Sequence, residues 1–266
     1  MGAKLSTTPT DVTDVSIGTM QAVFLLFTGQ TVYHWGRALC SRHHGSETHD
    51  MIASSATGFS ALFYLAMGQG FSKIQYTGAD GVQRVGFDLR YVERFVGVAL
   101  VIFNVGVLAR DRRTAIAGSC GLWALSVAAL YIASKTDGGM RTPFFGFSFG
   151  AFVPMICIIA CFMGRLTLGS NLQTPYRFLA TWILVCCFFY FGIFAFAELT
   201  ALVDSETEII LYALMDVCTV SVTSWVISFC AHHVPEKLLP MEEKHMSQYP
   251  GPAGHGFHPN YKYDRV

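Results

Sequence analysis

Charge is scarce in this chain of 266 residues. Only 14% of them are Asp, Glu, Lys or Arg, against about 25% in an ordinary soluble domain. The 18 basic and 18 acidic side chains cancel, which leaves no basic excess to attract nucleic acid. Cys-x-x-Cys pairs are missing. The cysteines are Cys40, Cys120, Cys157, Cys161, Cys186, Cys187, Cys218 and Cys230, and their spacing supports neither a disulfide framework nor a metal site. They read as small, buried apolar groups within helices. No nucleophile–base pattern, phosphate loop or metal-ligand spacing is found, so an enzyme is not expected. The opening MGAKLSTTPTDVTDV lacks the basic start and apolar core of a secretory signal.

Apolar residues are abundant. They make up 52% of the chain, and the mean hydropathy is +0.43. They fall in blocks at 16–36, 51–71, 88–109, 114–134, 143–164, 177–199 and 208–231. Each is close to the roughly 20 residues with which a helix crosses the hydrocarbon of a bilayer. The expectation is an all-α, multi-pass membrane protein of seven transmembrane helices.

Arg37, Arg42, Arg110, Arg112, Arg113, Arg165, Arg177, Lys237 and Lys244 gather on one side of this topology, and Lys4, Lys73, Arg84, Lys135 and Arg141 on the other. Basic residues favour the cytoplasmic side, so the N-terminus is expected outside. Gly2 and Ser6 match an N-myristoylation pattern, which competes with that orientation because the modification is cytosolic. Residues 1–15 then form an external segment, 16–232 the membrane domain, and 233–266 a disordered cytoplasmic tail rich in Pro, Gly and His. The histidines His232, His233, His245, His255 and His258 are too irregularly spaced to predict a metal site. Between the second and third helices, Ile74–Tyr76 and the run from Val82 to Phe87 flank Gly-Ala-Asp-Gly, which predicts a hairpin.

Ionisable groups at membrane depth face a protein interior or a water cavity. Arg90, Glu93 and Arg94 lie on the third helix and Asp216 on the seventh. Two cations and two anions sum to zero, and the arginines are expected to pair with Glu93 and Asp216. Such a set is either a structural ion-pair cluster or part of an ion or proton path. Glu198, with Asp204, Glu206 and Glu208, is expected to form a solvated acidic mouth.

The stretch DLRYVERFVGVAL on the third helix resembles the Arg-Tyr-x-Asp/Glu-Trp motif of microbial rhodopsins. LYALMDVCTVSVTSW is similar to their seventh helix, where an aspartate precedes the retinal-binding lysine by four residues. ALFYLAMGQG and FFYFGIFAFAE also fit, so the resemblance spans nearly everything before the tail. It implies a seven-helix bundle of microbial rhodopsin type, with Arg90 as the motif arginine, Glu93 as the proton-acceptor carboxylate and Asp216 as the second counterion. The lysine position falls on Val220, which has no amine with which to form a Schiff base. The motif tryptophan is Arg94, the cytoplasmic proton-donor position carries Asn104, and the sixth-helix proline and tryptophan fall on Phe191 and Phe194. Tyr190 fits the family tyrosine; Phe144, Phe145 and Phe147 stand where a tryptophan is usual.

The resemblance therefore implies an opsin-related membrane protein without covalent retinal. It could act as a partner or structural module, in a homo-oligomer or with another rhodopsin-like protein. One alternative is a light-independent channel or transporter using Arg90, Glu93, Asp216 and Glu198. Another is a sensor that holds retinal or a different apolar ligand non-covalently among Tyr190, Phe194 and Phe145. Arg94 is expected to replace the lost Schiff-base cation.

Overall fold

The computed structural model describes residues 14–41, 44–77, 81, 83–108, 113–136, 138–165 and 170–233. The myristoylation pattern, the turn residues 78–80 and the tail beyond His233 lie outside the described residues. Among the described residues, seven helices are long and apolar enough to cross a membrane. α1 (Asp14–Cys40) and α2 (His44–Gly68) are followed by a hairpin of β1 (Lys73–Thr77) and β2 (Gln83–Phe87). Next come α3 (Leu89–Leu108), α4 (Arg113–Lys135), α5 (Arg141–Arg165) and α6 (Ser170–Phe194). α6 continues through a π turn, Ala195–Leu199. α7 (Ser205–Asp216), a second π turn (Val217–Val222) and α8 (Thr223–His233) run together as the seventh span, Ser205–His232. Consecutive spans pack side by side, and α1 also contacts α2 and α7.

The helices start or end a few residues away from the expected limits. The apolar block expected from residue 51 belongs to a span that begins at Ser46. Its first turns carry the polar residues Glu47, Thr48, His49 and Asp50, and a hydropathy reading discounts them. The hairpin forms as expected, antiparallel, with Lys73 opposite Phe87 and Thr77 opposite Gln83.

The distribution of side chains is that of a membrane protein. Leu25 (67% exposed), Leu62 (62%) and Phe178 (62%) point outward. A water-soluble monomer rarely shows so much contiguous apolar surface. In hydrocarbon each backbone N–H and C=O must be satisfied within its own helix, so long helices are the natural solution. Buried polar groups collect along the bundle axis instead: Glu93, Arg94, Asn104, Asp216 and Thr219 are all at most 2% exposed. The chain is an integral, multi-pass membrane protein. The cysteines divide by position: Cys186, Cys187 and Cys230 are buried, whereas Cys40, Cys157 and Cys161 are exposed on the outer faces of helices. Helical spacing alone does not tell an inward from a lipid-facing cysteine, because both sides are apolar.

Candidate functional site

α3 carries the central ionisable residues. Arg90 and Glu93 are three apart and Arg90 and Arg94 four apart, so all three project from one face. That face is turned inward, with Arg90 5% exposed, Glu93 0% and Arg94 2%. The two arginines nonetheless belong to different clusters.

Arg90 does not pair with Glu93 or Asp216. Its guanidinium donates to Glu198 Oε1 at 2.6 Å and to Glu208 Oε1. Tyr91 donates to the same Glu198 oxygen at 2.8 Å, and Tyr76 on β1 donates to Glu208 Oε2 at 2.6 Å. Burial first, and the neighbouring Glu208 carboxylate second, push the Tyr76 phenol well above its ordinary range, so it remains a donor. Glu198 and Glu208 are 0% and 1% exposed, so these two form a sealed ion-pair cluster and not a solvated mouth, whereas Asp204 is exposed as expected. The hairpin and two further arginines close it. Arg84 donates to the carbonyls of Val203 and Ala201, and Arg141 donates to the Glu198 carbonyl at 2.8 Å. The charge balance expected of four residues is spread over eight. Arg84, Arg90, Arg94 and Arg141 balance Glu93, Glu198, Glu208 and Asp216 in number, and all eight are buried.

Arg94 and Asp216 form the inner cluster. Arg94 Nε lies 3.8 Å from Asp216 Oδ1. The guanidinium carbon lies 3.6 Å from the centre of the Tyr212 ring and 4.9 Å from that of Tyr190. Asp216 accepts hydrogen bonds of 2.5 Å from both Tyr64 and Tyr190. Glu93 Oε1 accepts from Ser60 at 2.6 Å, while Glu93 Oε2 has no hydrogen-bond partner. Between the clusters, Arg90, Asp216, Tyr64 and Tyr212 help line a cavity of about 20 Å³. That is room for about one water molecule, and the Tyr212 hydroxyl has no partner within the protein.

Val220 is 0% exposed and sits in the π turn Val217–Val222. A Cβ on Gly97 would lie 2.9 Å from Glu93 Oε1, 3.0 Å from Ser60 Oγ and 3.4 Å from Val220 Cγ2. Val220 and Glu93 thus converge on one spot, and a side chain on Gly97 would fill it. π turns of this kind recur at functional positions in helices. No sequence signal announced this one, since the segment holds neither Pro nor Gly. Among the described residues, the lysines are Lys73, exposed on β1, and Lys135, paired with Asp88 at 2.8 Å at the end of α4. Neither lies in the bundle interior.

Phe145 and Phe194 stack with ring centres 5.6 Å apart. Tyr190 is tied to Asp216 and packs 6.2 Å from Trp123. Trp123, which the motifs did not single out, is 1% exposed and donates to the Arg94 carbonyl at 2.9 Å. Asn104 is 1% exposed and hydrogen-bonded to His49, with its Oδ1 2.6 Å from His49 Nδ1. Asp50 and His34 are buried charge-bearing groups that the sequence did not flag, both at 0% exposure. Asp50 sits among polar neighbours at the start of α2, where a charge is unremarkable in sequence, and His34 lies within the apolar block 16–36, where no motif marks it. His232, grouped in sequence with the tail histidines, ends the seventh span and contacts Asp50.

No protein-family model matches the chain, and no curated protein matches it in sequence. Solved structures do match. The light-driven proton pump rhodopsin of Coccomyxa subellipsoidea superposes with a TM-score of 0.78 at 16% identity, over 84% of this chain and 99% of that one. The light-driven proton pump of Leptosphaeria maculans gives 0.76 at 18% identity, over 84% and 96%. The thermophilic rhodopsin of Rubrobacter xylanophilus gives 0.69 at 19% identity, over 82% and 99%. What these chains share at such identities is architecture: this protein has the seven-helix membrane fold of the microbial rhodopsins.

Proposed function

We propose that this protein is an opsin-related membrane protein that works without covalently bound retinal. The observation that carries the reading is the pairing of Val220 with Arg94. The side chain one helical turn beyond Asp216, beside Glu93, is a buried valine. The interior cation facing Asp216 is a guanidinium packed on Tyr212 and Tyr190. A Schiff base needs an amine, and valine has none. Light-driven pumping, the activity of the Coccomyxa and Leptosphaeria proteins, is therefore not assigned to this chain. The reading makes it a structural or interaction module, in a homo-oligomer or with another rhodopsin-like protein, with its N-terminus outside. Expression with all-trans-retinal followed by purification tests it. The expected result is no visible absorption band. A band that borohydride bleaches would overturn it, and a band that organic solvent extracts intact would point to a non-covalent ligand.

A second reading is a light-independent proton or ion path. It is favoured by the buried polar groups strung through the bundle: Glu198, Glu208 and Arg90, then Asp216, Arg94 and Glu93, then Asn104 with His49. Reconstitution in liposomes carrying an interior pH dye distinguishes it. Dark proton flux above that of empty liposomes, reduced by Glu93→Gln, would establish a path.

A further inference from the structure

The seventh span brings a third set of ionisable groups together, apart from the Arg94 and Arg90 clusters. Asp50 on α2 is fully buried. Ser228 donates to its Oδ1, and His232 Nε2 lies 2.7 Å from its Oδ2. From α1, His34 Nδ1 approaches Oδ1 at 3.5 Å and Arg37 Nε approaches Oδ2 at 3.7 Å. The spacings make this possible. His34 and Arg37 are three apart, and Ser228 and His232 four apart, so each pair shares a helix face. The neighbouring His49 points instead to Asn104 on α3. Three spans therefore converge on one carboxylate.

Two features go beyond a structural tie. The first is His34. Its ring is 0% exposed, and neither nitrogen has a hydrogen-bond partner. A neutral imidazole carries one N–H donor and one lone pair, and leaving both buried and unmet is costly. An imidazolium would instead present an N–H to Asp50. The second is graded access. His232 is 23% exposed and Arg37 27%, while Asp50 and His34 are sealed. A carboxylate only accepts hydrogen bonds, so His232 Nε2 donates to Asp50 and its Nδ1 is the nitrogen left to take a proton.

We infer that Asp50, His34 and His232 form a proton-binding site shared by α1, α2 and the seventh span, with His232 as its way in. The charges balance as follows. At rest the Asp50 carboxylate is compensated by Arg37, and both imidazoles are neutral. A proton from water adds to His232 Nδ1, and the resulting imidazolium presses its Nε2–H on Asp50. As that proton moves toward Asp50 Oδ2, His232 becomes neutral again. The Asp50 carboxyl then turns about its Cβ–Cγ bond and hands that same proton to Nδ1 of His34, whose neutral ring holds its own proton on Nε2, leaving the positive charge on His34 beside a regenerated carboxylate. Arg37, partly in solvent, gives up its share of Asp50 to the new cation. The ligand is the proton alone, and the inference does not depend on how retinal behaves.

Nitrogen-15 NMR of histidine side chains in the full-length protein, in lipid nanodiscs, tests this between about pH 8 and about pH 5, the range in which imidazoles exchange protons. His34→Gln and His232→Gln identify the two signals. In the unmodified protein the His34 ring is expected to change from a neutral to a cationic signature across the range, while His232 Nδ1 changes from unprotonated to protonated. Asp50→Asn should weaken proton binding by both rings at least tenfold, about one pH unit. His232→Gln, which leaves Asp50 and the fold's polar contacts from Ser228 in place, should slow or abolish the change at His34. A His34 ring that stays neutral throughout in the unmodified protein would overturn the inference. So would proton exchange between His34 and water that is as fast in His232→Gln as in the unmodified protein.

Discussion

If Arg94 stands in for a lost Schiff-base cation, returning the lysine alone should not return the chromophore. In Val220→Lys, the new amine would enter beside Glu93, since Val220 Cγ2 and Glu93 Oε1 lie 3.4 Å and 2.9 Å from the same point above Gly97. A polyene running from that amine would meet the Arg94 guanidinium among Tyr190, Tyr212 and Asp216. Displacing it breaks a buried ion pair, which costs about 3–5 kcal/mol when one partner is lost. It also gives up desolvated cation–π contact worth about 2 kcal/mol. Even the lower bound of about 3 kcal/mol corresponds to about 100-fold weaker retinal occupancy. In Val220→Lys/Arg94→Trp the guanidinium is gone and the lysine supplies the cation. The assay is visible absorption of protein purified after expression with all-trans-retinal, with borohydride trapping of the imine. The double variant should give the stronger band by far. Thermal unfolding supplies an independent check. Arg94→Trp alone strands Asp216 and Glu93 and should be destabilised by about 3–5 kcal/mol, and adding Val220→Lys should recover part of that as a coupling energy. A band from Val220→Lys as intense as that from the double variant would refute the reasoning.

Three further outcomes follow from the packing. Arg90→Gln leaves Glu198 and Glu208 buried without their shared cation. It should destabilise the protein by about 3–5 kcal/mol, and Glu198→Gln/Glu208→Gln in the same chain should restore part of the loss in a thermal-unfolding assay. Gly106→Ala puts a methyl 2.7 Å from Ile116 Cγ1 where α3 crosses α4. It should cost about 1–3 kcal/mol by overpacking, and Ile116→Ala should relieve it. Asp204 caps α7 by accepting from the Thr207 hydroxyl at 2.6 Å and the Thr207 N–H at 3.1 Å. Asp204→Ala should lose about 1 kcal/mol. Those two bonds, the hydroxyl first, hold the Asp204 carboxyl below its ordinary range. Its stabilisation is therefore fully present above about pH 4, the unfolded value, and fades as pH falls through the lower folded value. Unfolding temperatures of the unmodified and Asp204→Ala proteins should converge in acid.

The sequence by itself determined the seven spans, the hairpin and the inward charge on α3. These are local properties. A span is a run of about 20 apolar residues, a hairpin is two short β-type runs about a turn, and residues three or four apart share a face whatever the rest of the chain does. That Val220 follows Asp216 by four residues was also legible, because both stand in one short stretch. Only the tertiary structure decided the partners. Arg90 looked nearest to Glu93 along its own helix, yet it bonds to Glu198 and Glu208, which arrive from the ends of the sixth and seventh spans. The depth and rotation at which separate helices meet are set by packing across the whole bundle, and no sequence period encodes them. The same reason hid Asp50. It reads as one more polar residue at the start of α2, and it becomes a buried centre only when His34, Ser228 and His232 are brought to it from 16 residues before and 178 and 182 residues after.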